Sequence, residues 1–307
     1  MRYRLFGESF TSDRELPFPP AADGAEPSFR LEEHDSLSEV TDLEALGHLV
    51  GSRCSIQYGG WLSSMRLAEQ YIWYQRRLLG DFDLPFVHVF ERLIAPLYVT
   101  LTHDAYLCVH GSVVVEDGRA WLVTGDTGSG KSTTAYELMH RHELAIAADE
   151  MAVVDVEQGI LHGGSPAIRM ARREGGVEEA CAEGEVHPEL EKRWFRLQRR
   201  HLAEGSYPLC GVIYLEPRED EDPEFVDVGS YAGSEKLTRL LDQSFDFESA
   251  PGAWKRRRFK NAAQLAKSVP VYRFEFGRSE SGEATHVPAL WEFLRHKDVS
   301  SHDEEHR

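Results

Sequence analysis

An α/β fold built around a strand–glycine loop–helix unit, with a β-rich N-terminal part, is predicted by three features of this 307-residue sequence. The first is Gly125-Asp126-Thr127-Gly128-Ser129-Gly130-Lys131-Ser132-Thr133, which satisfies G-x-x-x-x-G-K-[ST] from Gly125 to Ser132. The second is its flanks: residues 120–124 form a short apolar run of buried-strand type, and residues 133–139 have helix-forming composition. The third is another short apolar run, 144–148, that ends on two carboxylates, Asp149-Glu150.

The remaining elements follow in chain order. Residues 3–6 are a strand, followed by the proline-rich turn Leu16-Pro17-Phe18-Pro19-Pro20 and a polar loop to about Pro27. Strands are expected at 28–31, 54–61 and 68–73, while 36–50 carry no clear pattern. Residues 87–101 have apolar positions at helical spacing and should pack on the sheet. Two strands, 106–115 and 119–124, are joined by Asp117-Gly118, a hairpin turn signature. The helix after the glycine loop covers 131–141, and the chain continues extended over 151–156. Residues 171–206, rich in Glu and Arg, are expected to be partly helical and exposed. A buried strand at 211–215, helices at 235–242 and 254–267, and a closing strand at 269–276 complete the core. Three regions are expected: residues 1–95 as a β-rich part, 96–295 as the domain carrying the glycine loop, and 296–307 as a disordered polar tail.

Composition excludes several classes. Hydrophobic residues make up 41% of the chain, enough for a substantial core. No run of 18 apolar residues is present, so no membrane span is expected. Four scattered cysteines without a C-x-x-C pair argue against a disulfide framework or a zinc site, and with a start lacking signal-peptide character they suggest a cytoplasmic protein. The net charge of −18 disfavours binding to nucleic acid or anionic membrane, both polyanions.

The glycine loop carries the chemistry. A strand, a glycine turn and a helix N-terminus converge several backbone N–H groups on one spot, which suits a polyphosphate. The loop residues Gly125, Asp126, Thr127, Gly128, Ser129 and Gly130, with Thr133, would cradle a nucleotide. Lys131 would reach the β/γ-phosphates and the Ser132 hydroxyl would sit on Mg²⁺. Asp149-Glu150 stand eighteen residues after Lys131 at a strand end, where a metal-liganding or proton-accepting acid belongs. His140 and His142, two apart near a helix end, face different ways and are read as surface residues. The basic run Lys255-Arg256-Arg257-Arg258 is either a solvated helix face or a docking surface for an acidic peptide or phosphate. Lys192-Arg193, Arg196 and Arg199-Arg200 are spaced for a helix.

His110-Gly111-Ser112, the hairpin, the glycine loop and Ala147-Ala148-Asp149-Glu150 together resemble the core of bacterial HPr kinase/phosphorylase, and more so its shorter divergent relatives. The resemblance covers 100–170 and extends more loosely through Ser165-Pro166-Ala167-Ile168-Arg169, 211–217 and 269–276. It implies a fold shared with the ATP-dependent phosphoenolpyruvate carboxykinases and phosphoryl transfer to a hydroxyl. Carried over by position, Asp149 accepts the acceptor's proton, Glu150 assists the metal, His110 lies near the transferred phosphate, and Arg169 faces phosphate or substrate. Two departures stand out: Glu150 replaces an Asp, and Ala167 stands where HPr kinase has a metal-binding glutamate. The loop with which HPr kinase engages its protein substrate has no counterpart that the sequence reveals, so a different acceptor is expected.

The expectation is a kinase using ATP, or another donor nucleotide, with Mg²⁺ to phosphorylate a serine of a peptide or small protein, or a small metabolite. The other reading is a nucleotide-binding accessory protein or weak ATPase that regulates a partner enzyme. The resemblance also allows a homo-oligomer, since HPr kinases assemble into hexamers.

Overall fold

The computed structural model describes residues 1–22, 24–34, 49–50, 53–58, 61–76, 85–164, 167–171, 181–182, 192–219, 221–222, 226–247, 252–279 and 284–297. Among these residues the strands form three sheets, and the architecture is mixed α/β.

The N-terminal sheet contains β1 (Arg2–Leu5), β2 (Glu8–Ser12), β3 (Phe29–Glu33), β4 (Leu49–Val50), β5 (Arg53–Tyr58), β6 (Trp61–Arg66) and β7 (Tyr71–Arg76). Their spatial order is β1-β2-β3-β7-β6-β5-β4, with β3 parallel to both of its neighbours. Alternation along β2 turns Phe10 inward, where it stacks on Phe29 with centroids 5.0 Å apart and meets Tyr3, Phe18 and Phe90 edge-on or tilted. This aromatic cluster takes its last ring from the helical run that follows: α1 (Phe86–Val89), a π-turn (Phe90–Ile94) and α2 (Ala95–Thr102). The run is apolar nearly all round because it is sandwiched between the N-terminal sheet and Cys108, Met151 and Val153 of the central sheet.

The central sheet is built from β8 (Tyr106–His110), β9 (Ser112–Glu116), β10 (Arg119–Gly125), β11 (Ala145–Ala148), β12 (Met151–Asp155), β13 (Ile160–His162), β17 (Ser206–Arg218), β18 (Val226–Ser230) and β19 (Val271–Gly277). Its order is β11-β9-β10-β17-β13-β12-β8, with β19 beside β17 and β18 beside β19. The strand leading into the glycine loop, β10, is antiparallel to β9 and parallel to β17. Successive residues of these strands face opposite layers. Val114, Val123 and Ile213 pack against Ala135 and Leu138 of α3 (Lys131–His142) and Leu290 of α6 (Val287–His296). Val113, Leu122 and Val212 pack against Leu240 of α4 (Gly233–Gln243) and Leu265 of α5 (Gly252–Ser268). Burial on both faces is why β10 and β17 read as continuous apolar runs and not as alternating ones. A small third sheet, β14 (Ala167–Ala171), β16 (Lys192–Leu197) and β15 (Cys181–Ala182), adjoins α3.

Most expected elements are present, with several corrections. Residues 54–61 are not one strand but β5 and the start of β6, and β2 lies where no element is expected from the sequence. The expected 106–115 strand is broken at Gly111 into β8 and β9, which lie apart in the sheet order. The basic positions from Lys192 to Arg196 are on strand β16 and not on a helix, because Phe195 and Leu197 alternate into the core. A further helix, α6, runs through His296, the first residue of the expected tail. Residues 36–48, most of 172–191 and 298–307 lie outside the described residues. The helical run 86–102 passes continuously through the expected boundary at 95/96. No helix among the described residues is long and apolar enough to cross a membrane.

Because Phe10 is fully buried and joins the N-terminal sheet to the π-turn, Phe10→Ala should lower unfolding free energy by about 3–5 kcal/mol, measured by urea denaturation.

Candidate active site

The glycine loop joins β10 directly to α3, and its backbone geometry explains its composition. Gly125 has φ 142°, and a Cβ there would lie 2.7 Å from the Leu215 carbonyl oxygen. Gly130 caps α3 at φ 92°, a left-handed conformation that side chains resist. Asp126, Thr127 and Gly128 are exposed at the loop tip, whereas Ser129 is buried and its Oγ has no hydrogen-bond partner. An orphaned hydroxyl beside a helix N-terminus fits an anion as its missing partner. Lys131 folds back over the loop, donating to the carbonyls of Gly125 at 2.8 Å and Asp126 at 3.0 Å. Ser132 and Thr133 open α3 and are half-buried. Asp126 is held from the other side by Tyr214 Oη at 2.7 Å and Gln243 Nε2 at 3.2 Å, which ties the loop to β17 and the end of α4.

Asp149 lies at the centre of the site. It follows β11 and is 2% exposed. Its Oδ1 accepts from Ser112 Oγ and, at 2.9 Å, from Ser132 Oγ, while Oδ2 accepts from the Arg169 backbone N–H at 2.8 Å. Three chain segments, β9, α3 and β14, therefore meet on one carboxylate. Burial, and then the neighbouring charge of Glu150, hold its pKa above the ordinary carboxylate range.

Glu150 adopts φ 74°, a rare conformation for a residue with a side chain. It is 9% exposed and faces three nitrogen groups: Arg169 Nη1 at 3.6 Å, His110 Nδ1 at 3.9 Å and Arg92 Nε at 3.9 Å. Arg169 is itself buried and paired through Nη2 with Glu91, at 3.4 Å. His110 and Arg92 line a cleft of about 500 Å³ together with Tyr58, Met151, Asp126 and Phe245. Tyr58 belongs to the N-terminal sheet, so the cleft is walled by both large sheets.

The structure thus brings together Lys131, Ser132, Asp149, Glu150, His110 and Arg169, and the glycine loop borders the same cleft through Asp126 and Thr127. Oxygen donors suited to Mg²⁺ are present in Ser132 and Asp149, since this ion commonly takes one or two carboxylates with phosphate and water supplying the rest. No cluster of three or more His, Cys, Asp or Glu side chains suited to a metal occurs among the described residues. Ala167 is buried, and nothing in its side chain replaces the carboxylate found there in HPr kinase.

Sequence reading missed Glu91, Arg92, Ser112, Tyr214 and Gln243 as parts of the site. Glu91-Arg92 did carry a signal, being the only Asp, Glu, Lys or Arg residues within the apolar stretch 87–101. The basic run on α5 proves partly structural: Arg257 pairs with Asp104 and the Thr100 carbonyl, and Arg258 with Ser244, Asp246 and the Leu241 carbonyl. Lys255 and Arg256 are exposed. His140 is exposed and stacks on Tyr136, while His142 stacks on Trp291.

Comparison with known proteins gives partial matches of one kind. The chain is 43% identical over 60 residues to HPr kinase/phosphorylase of Levilactobacillus brevis, covering 20% of this chain and 19% of that one. It is 45% identical over 60 residues to the Lactiplantibacillus plantarum protein of the same name, with the same coverage. Against that of Caldicellulosiruptor bescii it is 34% identical over 82 residues, 26% of each chain. The matches thus span only about a fifth to a quarter of these relatives. Among solved structures, the HPr(Ser) kinase/phosphatase from Coxiella burnetii aligns with 62% of this chain and 97% of its own, at TM-score 0.35 and 12% identity. No family model matches. The sequence matches support an HPr kinase-like family.

The raised pKa of Asp149 has a consequence for stability. A carboxyl whose folded pKa exceeds its unfolded one stabilises the fold fully at low pH, and that contribution is lost as pH rises through the folded pKa. Asp149→Asn should therefore melt at or above the wild-type temperature at pH 7 without nucleotide, with the advantage shrinking toward pH 4. Calorimetry across that range measures it.

Proposed function

We propose that this protein is a Mg²⁺- and nucleotide-dependent kinase of HPr kinase type that phosphorylates a hydroxyl acceptor. The observation that carries the reading is the convergence of the glycine loop, Ser132 and Asp149 with a second carboxylate, Glu150, beside Arg92, His110 and Arg169 at a cleft that the loop also borders. Phosphoryl transfer asks mainly for positioning and charge stabilisation, and these groups supply both.

The loop amides, Lys131 and the Ser129 hydroxyl bind the β- and γ-phosphates, with Lys131 exchanging its two loop carbonyls for phosphate oxygens. Magnesium, held by Ser132 and Asp149, would neutralise charge on those phosphates. His110 and Arg169 face the phosphoryl group as it moves, and Arg92 stands at the cleft mouth. The acceptor hydroxyl enters the cleft between Tyr58, Arg92 and Phe245, which gives residues 1–95 a share in acceptor recognition. Its oxygen bonds to the γ-phosphorus as the bond to the bridging oxygen breaks. The hydroxyl proton passes to a carboxylate and the nucleoside diphosphate leaves.

Family resemblance gives the proton-accepting role to Asp149, but the hydrogen bonding favours the reverse division of labour. Asp149 already accepts from three donors and is more deeply buried, while Glu150 faces His110 and Arg92 at the cleft. Glu150 is then the proton acceptor and Asp149 the metal-side acid.

Purified protein incubated with γ-labelled ATP and Mg²⁺, alone and with host lysate, tests both points. Label should appear on a hydroxyl acceptor. Glu150→Gln should reduce transfer by about 10²–10⁴-fold with nucleotide affinity unchanged, and Asp149→Asn should raise the Mg²⁺ requirement. An active Glu150→Gln beside an Asp149→Asn inactive at every Mg²⁺ concentration would return the base to Asp149. Label released only as free phosphate would favour the accessory ATPase reading, which the carboxylate missing at Ala167 supports.

A further inference from the structure

The π-turn Phe90–Ile94 sets one charged side chain on each side of the helical run: Arg92 toward the cleft and Glu91 into the protein interior. A π-turn adds one residue to a helical turn, and such insertions recur at functional sites. Glu91 is 1% exposed, so its charge must be compensated to be tolerated there. Its Oε2 lies 3.4 Å from Arg169 Nη2. Arg169 is 5% exposed, and its Nε and Nη1 have no hydrogen-bond partner, although Nη1 stands 3.6 Å from Glu150 Oε1. The same residue also donates its backbone N–H to Asp149.

This arrangement is more than a neutralised buried pair. A guanidinium facing only Glu150 would close onto that carboxylate, because no other acid would compete for it. Glu91 holds the other terminal nitrogen of the fork, Nη2, so that Nη1 remains without a hydrogen bond at the site. We propose that Glu91 is the positioning residue for Arg169, holding the guanidinium so that Nη1 stays available to an arriving phosphoryl group. Glu91 itself touches neither nucleotide nor acceptor. The proposal rests on the phosphoryl-transfer reading given above. It makes the π-turn a structural link by which the N-terminal helical run sets the electrostatics of the site.

The test uses Mg²⁺–ADP with and without fluoroaluminate, a mimic of the phosphoryl group in transit, and so needs no known acceptor. In the wild type, fluoroaluminate should tighten ADP binding by 10²-fold or more, on the order expected of transition-state mimics. Glu91→Gln should leave ADP affinity within about twofold while cutting the fluoroaluminate gain by about tenfold or more, as for a lost charge-stabilising donor. Glu91→Asp should recover part of it. In an Arg169→Lys background, Glu91→Gln should cost less than about twofold further, because a residue acting through Arg169 has little left to lose. A merely structural Glu91 would lower the melting temperature and leave the gain intact. If Glu91→Gln fails to fold, the cycle is run with Glu91→Asp. A gain unchanged in the Glu91 variant, or losses that multiply in the double variant, would overturn the proposal. A wild type with no fluoroaluminate gain despite binding ADP would instead remove the phosphoryl-transfer reading, and this proposal with it.

Discussion

The buried carboxylate of Asp149 is the constraint on which the rest of the site depends. Ser112, Ser132 and the Arg169 backbone each donate to it, so the strand beside the loop strand, the helix after the loop and the edge of the third sheet are pinned at one point. A carboxylate in this position costs free energy unless every lone pair in use has a donor. The chain meets that requirement with groups that a phosphate-binding site needs anyway. The cost that remains is visible in the raised pKa of Asp149, whose burial and like-charged neighbour both work against ionisation.

Around that point the charges are arranged in alternation. Glu91, Arg169 and Glu150 form a buried line that ends at the cleft beside Arg92 and His110. The two consecutive carboxylates have different surroundings: Asp149 accepts from Ser112, Ser132 and the Arg169 backbone, and Glu150 faces Arg92, His110 and Arg169. Residues held in sparsely populated conformations persist where the surroundings over-determine them, here, at Glu150, the three donors on the preceding residue and the two arginines beside this one.

Much of this was legible in the sequence because it is local. The glycine loop, the strand before it and the helix after it occupy one contiguous stretch, and each position has its own physical reason. Asp149-Glu150 could be placed because a strand end near the loop leaves few alternatives. What escaped is what contact at a distance creates. Glu91 and Arg92 sit in a stretch whose periodicity reports packing alone, and only the π-turn assigns one inward and one outward. Tyr214 and Gln243 clamp Asp126 from 88 and 117 residues away, a relation no spacing rule encodes. The stretch from Lys192 to Arg196 was misread because basic residues at helical spacing also fit an exposed strand whose other face is buried.

The most direct test of the central claim is a crystal structure with ADP and Mg²⁺ bound. The β-phosphate is expected among the loop amides and Lys131, where Ser132 and Asp149 would hold the metal. The open end of the diphosphate should point at Glu150, His110 and Arg169. A nucleotide bound elsewhere, or with its phosphates directed away from Asp149 and Glu150, would contradict the claim.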